Sequence, residues 1–109
     1  MISVYLVCAE IGDEKLYKIG YTRRPIEKRI KELKTGNAAE FYIVNSFESK
    51  WGTKIEAILH RSFSSKKVNG EWFLLDDFDI KSFGKRCDEI HSNLELVSKS
   101  LYYIEKGDF

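Results

Sequence analysis

The stretch from Leu16 to Gly36, LYKIGYTRRPIEKRIKELKTG, leaves this chain the fewest choices. Leu16, Lys18 and Gly20 alternate with Tyr17, Ile19 and Tyr21 at the period of two expected of a pleated strand. The chain turns through Thr22–Arg24, and Pro25, its only proline, fixes φ at a value suited to the first turn of a helix. Ile26, Ile30 and Leu33 follow at helical spacing, and Gly36-Asn37 is a stop signal. A strand passed straight into an amphipathic helix needs a sheet for the one and an apolar surface for the other. Any fold built on this stretch mixes strands with helices.

The same stretch gathers charge. From Lys15 to Lys34 there are eight Lys or Arg against two Glu, a net of +6, while the whole chain carries +1 and the remainder −5. A near-neutral protein that collects its positive charge in one strand–turn–helix presents a surface to something anionic. At 109 residues the chain is one domain, and its 43% apolar content with 15 aromatic residues excludes a disordered polymer. No run approaches the roughly 20 apolar residues of a membrane span, and MISVYLVCAE lacks the basic start of a signal peptide. With two cysteines, Cys8 and Cys87, and no CxxC pair, a reducing cytoplasm is expected, with both thiols in or near the core.

Along the chain, Ile2–Ala9 reads as a strand, and Ile11-Gly12-Asp13-Glu14 as the turn of a hairpin to Leu16–Thr22. The basic helix spans about Pro25–Lys34, and Phe41–Phe47 is a third strand. Trp51–Ser64 is the strongest helix, with Trp51, Ile55, Ile58, Leu59 and Phe63 on one stripe. Ser64–Gly70 reads as a polar loop and Glu71–Leu75 as a short extended segment. Asp76 or Asp77 caps a last helical region whose stripe is Ile80, Phe83, Cys87, Ile90 and Leu94. Leu101–Phe109 either adds an edge strand or packs down. The order implies an α+β domain, an antiparallel sheet of three or four strands flanked by helices.

Three groups of residues ask for more than a packing role. Arg29 falls about 60° from the centre of the Ile26–Ile30–Leu33 stripe, at the edge of the buried face. There it either covers the core with its stem or holds a guanidinium ready for a phosphate. Glu56 and His60, an i, i+4 pair beside the apolar stripe, are either a surface pair or a hard oxygen ligand for Mg²⁺ with a neighbouring acid or base. Zinc is poorly supported, for there is no HExxH and no cysteine cluster. Tyr17, Ile19 and Tyr21 share one face of their strand, Lys18 and Gly20 the other. A glycine inside a strand marks close approach of another backbone or of a ligand.

Together these residues resemble the GIY-YIG nuclease superfamily, in a compact branch common in phage and bacterial proteins. Val4-Tyr5-Leu6 matches the first motif and Tyr17-Lys18-Ile19-Gly20-Tyr21-Thr22 the second. Arg29 lies nine residues after Gly20, and Glu56-x-x-x-His60 and Gly70-Glu71-Trp72-Phe73 follow in order. The motifs span residues 2–75, about two-thirds of the chain. The resemblance implies a nuclease-like unit over residues 1–76, with 77–109 a helical extension packed on the same core. It implies metal-dependent hydrolysis of DNA phosphodiester bonds in the cytoplasm of a bacterium or a phage-infected cell. Tyr5 would orient or deprotonate the attacking water, Arg29 would hold the scissile phosphate, and Glu56 would bind Mg²⁺ or Mn²⁺. His60 would donate to a phosphate or position water. Lys18 stands where the name-giving tyrosine is usual; it activates water only if its pKa falls far below about 10.4, and otherwise clamps phosphate. Ser3 replaces a usual glycine. Tyr17, Tyr21 and Glu71 are expected behind these residues rather than on the substrate. DNA is the expected partner, along Lys15, Arg23, Arg24, Lys28, Lys31 and Lys34, and no membrane. The alternative is the same fold kept as a nucleic-acid or protein binding module without cleavage. The extension, with eight Asp or Glu against five Lys or Arg from Asp76 on, buttresses the core, masks the basic face, or mediates a homodimer or protein contact.

Overall fold

The computed structural model describes residues 1–35 and 40–106 of the chain. The strands are β1 (Ile2–Ile11), β2 (Glu14–Thr22), β3 (Glu40–Ser49), β4 (Lys67–Asn69) and β5 (Trp72–Phe73). The helices are α1 (Ile26–Lys34), α2 (Gly52–Ser62), α3 (Asp77–Lys81) and α4 (Phe83–Lys106). The strands form one sheet in the order β3-β1-β2-β5-β4, and every neighbouring pair is antiparallel. The α+β architecture is therefore that expected, with a fifth strand.

The hairpin is tight because Gly12 takes φ +62° while Asp13 does not, the sign pattern of a type II′ turn. It sets the register in which Tyr5 faces Gly20 and Val7 faces Lys18. Alternation then divides the side chains. Val4, Leu6 and Cys8 meet Tyr17, Ile19 and Phe73 beneath α2 and the start of α4, in a core completed by Ile55, Leu59, Phe63, Phe83 and Cys87. Tyr5, Val7 and Ala9 face the other way, against Ile30 of α1 and Phe41 of β3. A register slip between Leu6 and Val7 adds a residue to β3, so Phe41 lies on the α1 side and Phe47 on the other, although six residues part them. Both cysteines are buried and unpaired, and burial pushes the Cys87 thiol up to about 12.

One expectation is corrected and two open ones are made definite. Ser64–Gly70 is not simply a loop: Ser64–Lys66 forms a single 3-10 turn and Lys67–Asn69 pairs with β5 as an edge strand. All three β4 residues are exposed, so no apolar alternation marks it. The last helical region is two helices, parted at Ser82. Asp76 is the cap of the first, accepting from the Asp79 amide while Asp79 accepts from the Asp76 amide. Residues 101–106 continue α4 and add no strand. The helix stop read at Gly36-Asn37 lies outside the described residues. No helix among them is long and apolar enough to cross a membrane.

Candidate active site

Three consecutive residues of β2, Lys18, Ile19 and Gly20, each seat a different part of the site. Gly20 lies opposite Tyr5, and a Cβ built on it would stand 2.4 Å from the Tyr5 hydroxyl oxygen and 2.6 Å from Cζ. The missing side chain therefore makes room for a tyrosine ring of the neighbouring strand, neither a backbone nor a ligand. Thus seated, the buried Tyr5 directs its hydroxyl to α1, where it accepts a hydrogen bond from Arg29 Nε at 3.3 Å. Glu32, one turn further, holds Arg29 at 3.2 Å and binds both terminal nitrogens of Arg24 at 2.6 and 2.8 Å. The Tyr5 bond above all raises the Arg29 pKa, and the Arg24 bond above all lowers that of Glu32.

Ile19 seats the second part. β5 pairs with only two residues of β2, and past Glu71 the edge of β2 is open. The buried Ile19 carbonyl accepts there from His60 Nε2 at 2.8 Å. A carbonyl only accepts, so Nε2 carries the proton. The Glu56 carboxylate lies 3.2 Å from the same nitrogen, and the imidazole meets Phe73 edge-on at 5.0 Å. Both side chains of this pair are mostly buried. Burial raises the Glu56 pKa and the Glu71 charge adds to that, against the lowering effect of His60 and Lys18.

Lys18 joins the halves. Buried to 7% exposure on the Tyr5 face, its ammonium donates to Glu71 and lies 5.7 Å from the centre of the Trp72 ring. Glu71, immediately before β5, reaches back to Glu56 and His60, and ligand atoms of these three residues all lie within 4.8 Å of one another. The sequence reading kept Glu71 behind the site, whereas the fold puts it among the charged groups; the clue was its place opposite Ile19, visible only once Glu71–Leu75 is paired with β2.

The other expected residues divide. Tyr17 is buried in the apolar core, its pKa raised mainly by that burial, and lies on the opposite face from Lys18. Tyr21 is part-exposed with the Arg23 guanidinium 5.8 Å from its ring centre. Lys15 pairs with Glu10 at 3.8 Å. Lys28, Lys31 and Lys34 are exposed along α1 and make no ion pair among the described residues. Arg23 and Arg24 border a polar cleft of about 450 Å³ with Glu27, Ser46 and Glu48.

Residues 2–92 match the T5orf172 domain. The chain belongs to the T5orf172 domain family. The match takes in the whole sheet, α1 to α3 and the first part of α4, and with them every residue of the T5orf172 site just described. No curated protein and no solved structure matches the chain.

Proposed function

We propose that this T5orf172 domain is a metal-dependent DNA endonuclease of the GIY-YIG kind. The observation that carries the reading is the convergence on Lys18-Ile19-Gly20. Tyr5 reaches that strand from β1 with Arg29 of α1 on its hydroxyl, His60 reaches it from α2 beside Glu56, and Glu71 lies between. A family suggestive of nuclease-like or DNA-binding roles, and the exposed lysines of α1, support it.

Each residue then has a task set by its surroundings. Arg29, fixed by Tyr5 and Glu32, presents its remaining N–H donors to a phosphate and stabilises charge as it develops there. Tyr5, held by Gly20 beneath and Arg29 beside it, orients the attacking water. Its hydroxyl accepts from a cation and so keeps its own proton free to donate. Lys18, neutralised by Glu71, clamps phosphate and does not act as a base. His60 has its Nε2 proton committed to Ile19 and Glu56, so it positions the carboxylate.

The donor set suits a hard cation: two carboxylates close together, one of them desolvated, with no thiolate nearby. Glu56 and Glu71 would hold Mg²⁺ or Mn²⁺, and the ion would supply charge neutralisation at the leaving oxygen. A plasmid-nicking assay with each metal tests the reading. Wild type nicks and Glu56→Ala does not; unchanged nicking by Glu56→Ala removes the assignment. A wild type that binds DNA but cuts nothing leaves the binding module as the function.

A further inference from the structure

On the same sheet face as Tyr5 and Lys18 a cavity of about 300 Å³ opens at the hairpin end, lined chiefly by Ile11, Leu16, Phe41, Val68, Asn69 and Trp72. Ile11 and Val68 leave 53% and 52% of their surface in water, an exposure that packing does not explain. Trp72 and Phe41 form an aromatic wall, their ring centres 5.9 Å apart and tilted by 48°. Asn69, across from Trp72 in the β4–β5 pair, gives the described lining an amide, which both donates and accepts.

What belongs in such a cavity follows from its neighbours. Leu16, Lys18 and Gly20 alternate along one face of β2, so the cavity floor, the ammonium and the Tyr5–Arg29 pair lie in a row about 13 Å long. A ligand bound along that row is apolar and flat at one end and anionic at the other. The Lys18 ammonium, 5.7 Å from the Trp72 ring centre, stands where the two ends meet. We propose that the cavity receives one unstacked nucleobase, adjacent in the strand to the phosphate gripped by Arg29. The base stacks on the Trp72–Phe41 wall and meets the Asn69 amide at its edge. The substrate is then single-stranded DNA or a locally opened duplex. This rests on the nuclease reading above and adds to it the state of the substrate.

The experiment uses the full chain carrying Trp51→Phe, which leaves Trp72 as the sole tryptophan, with EDTA present so that nothing is cut. Three probes are compared: a short oligothymidine, a strand of equal length without bases, and a blunt duplex. The proposal expects oligothymidine to quench Trp72 and to bind roughly 5- to 150-fold tighter than the base-free strand, the worth of one stacked base. Val68→Ser and Asn69→Ala, both uncharged changes at exposed positions, should erase much of that advantage and leave base-free binding unchanged. Equal binding of the two single strands without quenching overturns the cavity's role and spares the DNA reading. Tightest binding to the blunt duplex overturns it as well. No binding of any probe overturns both.

Discussion

On the side of the sheet covered by α2 and α4, Val4, Leu6, Ile19, Ile55, Leu59 and Phe73 are wholly shut off from water, and Phe83 all but so. On the side covered by α1 the buried cluster among the described residues is Tyr5, Val7, Ala9, Ile30 and Phe41, and around it lie Lys18, Arg29, an aromatic cavity and exposed cations. Length explains much of the difference. The nine residues of α1 make a rod of about 13 Å, whereas the ten of β1 extend for about 33 Å. α1 spans less than half the length of β1, and beside it on this face, among the described residues, lie the charged and aromatic groups. One side holds the sheet together; the other carries the charged residues.

Substitutions can break this division in order of expected effect. Leu59→Ala in the sealed core should cost about 2–5 kcal/mol of stability by chemical denaturation, with the activity of the molecules that remain folded unchanged. Arg29→Ala should do the reverse, cutting turnover by about 10²–10³-fold in the nicking assay while leaving the melting temperature close to wild type. Gly20→Ala should do both, because Gly20 lies where the halves join. Its Cβ would displace a buried ring, costing about 1–3 kcal/mol, and the ring would release Arg29, which activity reads separately.

The fourth effect depends on pH. Burial raises the folded pKa of Glu56, so its contribution to stability is present below the ordinary carboxylate pKa of about 4.3 and is lost as pH rises through the higher folded value. Glu56→Gln removes that loss. Melts in EDTA should show the variant more stable than wild type at pH 7, with the gap closing as pH falls through the raised folded value and gone below about 4. The smallest effect is at the surface: Lys31→Ala should lower the slope of log affinity against log salt by about one contact and hardly alter folding.

How far these sides were legible in the sequence follows from what each records. The hairpin, α1 and α2 were legible because apolar periodicity marks a buried face, as at Ile55, Leu59 and Phe63. β4 was not, since an exposed edge strand of Lys67, Val68 and Asn69 has no buried face to leave a pattern. The break at Ser82 was hidden because Ile80 and Phe83 keep helical spacing across it. At the site, residue types and spacing marked Arg29 and Glu56 and the resemblance added Tyr5, but only pairing shows that Gly20 is absent a side chain for the sake of Tyr5. Pairing also brings Glu71 to Lys18, because β5 meets β2 there. In the sequence Glu32 is one of two negative charges in a basic stretch, yet in the fold it fixes two arginines.

The central claim is that the α1 half and the α2 half act as one centre across Lys18-Ile19-Gly20. Nicking rates of Arg29→Ala, Glu56→Ala and the double variant, at one metal concentration and with folding checked, test it most directly. Groups acting as a unit predict a double variant about as impaired as the worse single one. Losses that simply multiply would mean two independent sites and contradict the account.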